Sequence, residues 1–204
     1  MVNDAKITLS PQELQLVCDT EWILTKRIII EKVYHLFGEL AVSFSGIVEK
    51  NRHHLPEAML GTEPKISKGE NYLQLPYVVL DYPRAYHKTN SMAIRTMFWW
   101  GNFFSITLHV SGQYKNELQQ SLVQRLPLLQ EQEWFICINN EQWKHHFESD
   151  NYISLNEKSE AEIESIVKQQ PFIKVAAKFS LQQWNEMPLL LEEMFNTMIQ
   201  LLRH

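Results

Sequence analysis

The sequence predicts an α+β fold: a central, mainly antiparallel sheet with a long N-terminal helix and a C-terminal helix packed on it. Two observations lead there. Residues 92–110 form two runs rich in aromatic and β-branched residues around Gly101-Asn102, the pattern of a tight β-hairpin. Apolar residues at helical spacing dominate the two ends of the chain, whereas strand-like runs group in the middle, an order that segregates helices from an antiparallel sheet. With 204 residues, 45% of them hydrophobic, the chain suits one domain, residues 1–204, able to bury a full core.

Ser10-Pro11-Gln12-Glu13 starts the first helix. Serine caps, proline takes the first helical position and Glu13 closes a capping box. The helix is expected to end at Cys18, and Asp19 or Thr20 caps a second, long helix over residues 21–51. There Ile30, Val33, Phe37, Leu40, Phe44 and Ile47 recur at three- and four-residue spacing, and Ile29 and Leu36 widen the stripe. That width favours packing on the chain's own sheet over a coiled-coil seam with a second chain. Residues 52–71 read as a polar connection with Pro56, Gly61, Pro64 and Gly69, and the adjacent His53 and His54 diverge too far to make a metal pair. Residues 72–82 form a strand. Pro76 near its start suits an edge or a bulge, Pro83 marks its exit, and Tyr77, Val79 and Asp81 share a face.

A hairpin closing directly on Gly101-Asn102 puts Trp100 opposite Phe103 and Trp99 opposite Phe104, continuing to Ile94 opposite His109. Alternation then sorts the side chains. One face carries Trp99, Met97, Phe104, Ile106 and Leu108 with Arg95 in their midst, and reads as core. The other carries Trp100, Phe98, Phe103, Thr107 and His109, aromatic yet studded with polar groups. Beyond it, Leu118, Leu122 and Leu126 mark a helix over residues 114–126 that Pro127 ends or bends. A strand over 133–139, a short helix over 141–147 and a short strand over 152–155 follow; the adjacent His145 and His146 look like poor ligands. Ser159 and Glu162 box a helix running to Gln169, residues 172–179 form a strand, and Ser180 with Gln183 caps the last helix. Its stripe, Trp184, Met187, Leu191, Met194, Phe195 and Met198, is interrupted by Pro188.

The net charge of −5 excludes general affinity for nucleic acid, which needs positive charge, and for anionic membrane. Charge is uneven, however. Residues 65–95 hold five basic against two acidic side chains, a balance of +3, so the remainder carries −8. Such an island suits an anionic small molecule or an acidic protein partner. Cys18 and Cys137 read as small buried hydrophobes rather than a disulfide or metal pair. The N-terminus shows no apolar signal core, and the most apolar stretch, residues 28–48, contains Glu31, Lys32, His35 and Glu39, which disfavours a membrane span. A soluble cytoplasmic protein is expected.

Arg95, placed among core residues, demands a counter-charge, and the preceding strand supplies Asp81; a structural Asp81–Arg95 ion pair is expected. The candidate ligand-binding residues are Lys68, Arg84, Arg95, Trp100, Thr107 and His109. His109 has the pKa range of a general base, yet no nucleophile or orienting carboxylate stands at recognisable spacing. Ser67 and Ser105 lack a Gly-x-Ser-x-Gly context, and no phosphate loop, dinucleotide fingerprint, His-Glu-x-x-His or Cys-x-x-Cys occurs. No catalytic residue, metal or cofactor is therefore assigned.

Residues 65–72 (Lys-Ile-Ser-Lys-Gly-Glu-Asn-Tyr), 75–84 (Leu-Pro-Tyr-Val-Val-Leu-Asp-Tyr-Pro-Arg) and 98–101 (Phe-Trp-Trp-Gly) resemble a family of uncharacterised bacterial proteins. The likeness covers about the central quarter of the chain; it implies a bacterial, cytoplasmic protein and carries no residue role. The leading expectation is a non-catalytic binding domain with its site on the aromatic and basic face of residues 65–110. Two alternatives stand beside it: an enzyme acting on an anionic small molecule through His109, and a homodimer whose apolar face is its interface.

Overall fold

A computed structural model describes residues 7–129 and 133–203; part of the N-terminal stretch read as free of a signal core, residues 1–6, lies outside the described residues. These residues form five α-helices and one seven-stranded sheet, in which every ladder is antiparallel. Helices α1 (Pro11–Cys18) and α2 (Thr20–Asn51) lead into a four-strand meander, β1 (Lys65–Tyr72), β2 (Leu75–Tyr86), β3 (Ser91–Trp99) and β4 (Phe103–Ser111). Then come α3 (Gln113–Arg125), β5 (Trp134–Cys137), β6 (Tyr152–Ser154), α4 (Glu160–Gln169), β7 (Phe172–Ser180) and α5 (Met187–Leu201). The spatial order is β1-β2-β3-β4-β7-β5-β6, so β7 closes the gap between the meander and the β5–β6 pair. The fold is α+β, and among the described residues no helix is long and apolar enough to cross a membrane.

The cap signals set the helix starts. Ser10 and Glu13 form a capping box with Pro11 in the first turn, Asp19 accepts from the Trp22 N–H, and Ser159 and Glu162 box α4. Ser180 and Gln183 box a 3-10 turn, Leu181–Glu186, that leads into α5 with Pro188 in its first turn. The stripe of α2 buries Ile30, Val33, Phe37, Leu40, Phe44 and Val48 against α5 and the sheet of this same chain, with Phe44 stacked on Phe195 at 3.8 Å between ring centroids. By contrast α1 buries nothing, so Cys18, expected inside, is exposed; only Cys137 is buried.

Three elements differ from expectation. The polar stretch before residue 72 contains β1, whose Lys65, Lys68 and Glu70 suit an edge strand where apolar alternation is weak. β2 runs through a cis Tyr82–Pro83 bond to Tyr86, its register shifting between Asp81 and Arg84. The hairpin closes on Trp99 opposite Phe103 around a three-residue loop, Trp100-Gly101-Asn102, with Gly101 at φ 72°.

That extra loop residue slips the ladder by one and sends each β3 side chain to the opposite face from the one expected. Ile94, Thr96 and Phe98 lie with Phe104, Ile106 and Leu108 on the helix-covered face, together with Val78, Leu80, Val175 and Trp134. Arg95, Met97 and Trp99 share the other face with Phe103, Thr107 and His109. This second face is covered by the irregular chain between β5 and β6.

Candidate functional site

Residues 138–151, expected to contain a short helix, instead form an irregular lid over the second face of the sheet. Its anchors are polar groups turned inward. The Tyr72 hydroxyl accepts the backbone N–H of His145 at 2.6 Å and of His146 at 3.1 Å. Fully buried Asn151 donates to the His146 carbonyl at 2.5 Å and accepts from the Cys137 thiol at 3.4 Å. Phe147 plugs the gap between strands, stacked on Tyr152 at 4.6 Å and meeting Phe103 and Phe135 edge-on. The adjacent histidines diverge as their spacing requires. His145 turns to the sheet, and His146 lies 3.3 Å from Asp150.

Beneath the lid, alternation on β2, β3, β4 and β7 lines up two cross-strand rows. Asp81, Arg95, Thr107 and Ala176 make one; Ala93, His109 and Lys174 make the next. The Arg95 guanidinium donates to both oxygens of Asp81, at 2.7 and 2.8 Å, and its remaining arm lies 3.1 Å from His145 Nε2. The Trp143 ring stands 5.9 Å from its centre. Burial alone would drive the guanidinium pKa down, but the hydrogen bonds and charge of Asp81 outweigh it and hold the group firmly protonated. The neighbouring Tyr86 phenol is pushed up to about 12 by burial and by the Asp81 charge.

The second row has no such compensation. Lys174 is 1% exposed, and among the described residues no carboxylate lies within ion-pair distance of it. Its ammonium donates to the Lys144 carbonyl of the lid at 2.5 Å and faces the Tyr152 ring at 5.3 Å. Burial, with a further push from Arg95, brings its pKa down to about 8. Opposite it, His109 is packed between Trp143 and Phe172, both edge-on, at 5.5 and 5.7 Å. Burial and the positive charges of Lys174 and Arg95 lower its pKa to about 3, so the ring is neutral. Although Gln142 approaches the imidazole, Nε2 has no hydrogen-bond partner. An orphaned buried ring nitrogen is uncommon, because leaving such a group unsatisfied costs about 1–3 kcal/mol. His145 is held neutral for the same reasons, burial first and then Lys174 and Arg95.

Trp143 and Phe172 also form one wall of a surface cleft of about 500 Å³. Its other sides are the β2–β3 turn (His87, Lys88, Thr89), the sheet end (Ser91, Ser111) and Gln142 of the lid. Gly112 makes this approach close: its φ is 59°, and a Cβ there would lie 2.4 Å from the Thr89 carbonyl oxygen. The cleft thus opens directly in front of the aromatic wall behind which His109 and Lys174 lie. A cleft of similar volume between α3 and α4 is lined by Gln119, Gln120, Gln124, Glu164 and Lys168, surface side chains with none of the buried polar cluster among them.

Of the residues singled out from sequence, Asp81, Arg95, Thr107 and His109 come together. Trp100 does not: it sits in the hairpin loop, edge-on to Phe98 against the helix-side core. Lys68 lies over the Tyr34 ring of α2, and Arg84 donates to the Glu63 carbonyl. Sequence reasoning missed Lys174, His145, Tyr152 and Trp143. Lys174 shares a strand face with Phe172, Ala176 and Lys178, which reads as solvated; its signal is a lysine set inside the apolar run Phe172-Ile173 and Val175-Ala176-Ala177. Among the described residues no group of three metal-ligating side chains occurs. No family model, curated protein or solved structure matches the chain.

Proposed function

We propose that the protein is a binding domain for a small anionic molecule, held in the cleft between the β2–β3 turn, Ser111 and the lid, and drawing on the basic centre behind Trp143 and Phe172. The observation that carries this reading is a charge imbalance. Lys174 and His109 are buried beside the partly buried Arg95 and His145, and the centre holds one carboxylate, Asp81, already committed to Arg95. A buried cation without a counter-ion lowers stability, and an anion that reaches it restores the balance. The orphaned His109 Nε2 gives such a ligand a hydrogen-bonding partner, and the exposed Trp143 gives an apolar body something to pack against. Small movements of the lid would admit it, since the Lys174–Lys144 hydrogen bond ties one to the other.

The test is a thermal-unfolding screen with inorganic phosphate, sulfate, citrate and benzoate. A binding anion raises the midpoint with the logarithm of its concentration above Kd, by about 2.7 kcal/mol of stability at a hundred times Kd. Lys174→Met should abolish the shift while the protein stays folded. An equal shift in Lys174→Met, or no shift with any probe at millimolar concentration, overturns the reading.

A further inference from the structure

The N-terminal arm, none of whose residues lines this cleft, displays a surface that the other described residues leave uncovered. α1 has no buried side chain, and the first buried residue of α2 is Ile30, so ten residues of α2 precede the core. At 1.5 Å per residue they make about 15 Å of helix, which an ion pair from Lys26 to Glu70 ties to the edge strand β1 without covering its apolar side chains. Fourteen large hydrophobic side chains are strongly exposed among the described residues, and nine of them fall within residues 7–28. Leu14 and Val17 on α1, and Trp22, Ile23, Leu24 and Ile28 on α2, are between 44% and 68% exposed. The local sequence nonetheless specifies helix here, with a complete capping box at Ser10 and an Asp19 cap onto Trp22. Eight residues of helix without tertiary packing are too short to be stable in water, because nucleation is unfavourable and propagation over two turns does not repay it. The arm therefore needs a surface to pack on.

We propose that this surface is the arm of a second copy, and that the protein is a homodimer in which two α1–α2 arms pack face to face about a two-fold axis. Area points to this occupant. Nine large side chains about half exposed amount to roughly 900 Å² of mostly apolar surface, on the scale of about 200 Å² per large side chain. Spread round the arm as it is, that area is on the scale of the ~800 Å² per partner of a stable interface when two arms wrap one another. Charge agrees. From residue 7 to 29 the arm carries Glu13, Asp19 and Glu21 against Lys26 and Arg27, nearly neutral, so two arms do not repel. It also lacks the cluster of basic residues by which an amphipathic helix holds an anionic bilayer. An isologous pairing sets the same apolar surface against itself, and because Trp22, Ile23 and Leu24 point about 100° apart round α2, the pairing encloses more than one side of each helix. The inference is independent of the ligand reading, since the arm contributes no residue to the cleft.

Sedimentation velocity and light scattering on the full chain, from about 1 to 100 µM, test it. The expected mass is twice 24.2 kDa. The double variant Val17→Glu, Leu24→Glu, altering only exposed positions, should be monomeric, with the association constant at least 100-fold weaker and the far-ultraviolet helical signal reduced by about the length of α1. A second pair, Val42→Glu and Leu189→Glu, exposed apolar residues off the arm, should leave the dimer intact. A wild-type monomer at 100 µM, a dimer that survives the arm variant, or monomers captured by phosphatidylcholine–phosphatidylserine vesicles would each overturn the proposal.

Discussion

The two faces of the sheet solve the same problem by opposite means. Toward α2 and α5 the face is dry: Leu80, Ile94, Phe104, Ile106, Leu108 and Val175 are completely buried, and rigid helices pack on them. Toward the lid the strands present Asp81, Thr107, His109 and Lys174, buried almost as deeply, and a partly buried Arg95, under a loop held by hydrogen bonds. The first face gains stability from area removed from water. The second spends some of it, since each ion must be desolvated and only Arg95 recovers the loss through a bidentate partner. The contrast teaches where the protein has room for a task other than folding: the helix face for holding together, the lid face for binding.

Truncating each face at its centre should have the largest effect on stability. Phe195→Ala, removing the ring stacked on Phe44, should lower unfolding free energy by about 3–5 kcal/mol in denaturant titration. Asp81→Asn, stranding the Arg95 guanidinium, should cost a similar ~3–5 kcal/mol. The faces then part. Replacing both members, Asp81→Leu with Arg95→Met, should restore wild-type stability or exceed it by about 1–4 kcal/mol, whereas no second change on the helix face should rescue Phe195→Ala so fully. A double variant as weak as Asp81→Asn would mean that the pair contributes net stability.

A pH series comes next in size. In the folded protein Lys174 releases its proton near pH 8, and in the unfolded chain near 10.5. Between those values the unfolded chain binds more protons, so stability rises with pH. From pH 7.5 to 9.5 the gain should be about 2 kcal/mol, absent in Lys174→Met, which should also be more stable than wild type at pH 7.5. Cys137 and Tyr86, whose pKa values burial raises, oppose this rise toward pH 9.5, so the Lys174 contribution is read as the difference between the two proteins. Identical pH profiles in the two proteins would show that Lys174 is not buried as a charge.

The smallest contrast concerns the wall of the cleft. Trp143→Ala should lower stability by about 0.5–1 kcal/mol through the lost contact with Arg95, while Leu189→Ala on the helix side, more open to solvent, should stay within about 0.5 kcal/mol of wild type. Equal values at the two sites would remove the tryptophan from the polar centre.

What was legible in the sequence followed local rules. The boxes at Ser10, Ser159 and Ser180 act within three residues of one another, and the α2 stripe repeats often enough to average out exceptions. The hairpin was visible too, but its register turned on whether the loop holds two residues or three, and Gly101-Asn102 suits either. That single residue decided whether Arg95 lay among the helices or beside His109. β1 was hidden because an edge strand with lysines does not alternate cleanly. His145 and Asn151 were beyond reach for another reason: each is set by contacts across the sheet or with the lid that no local pattern encodes, and Lys174 left only the trace of a lysine inside an apolar strand.

Because β7 lies between β4 and β5, a chain leaving the ribosome cannot join the two parts of its sheet until residue 180 has emerged. Until then β4 waits with one hydrogen-bonding edge open and Phe104, Ile106, Leu108 and Val110 unsupported on that side, a template for other chains. Lys174 arrives with the strand that closes this edge, so the basic centre comes into being at the step that makes the sheet whole. A product terminated before β7 would therefore lack the polar centre and expose an aggregating edge together, which gives cellular quality control a clear signal for removing it.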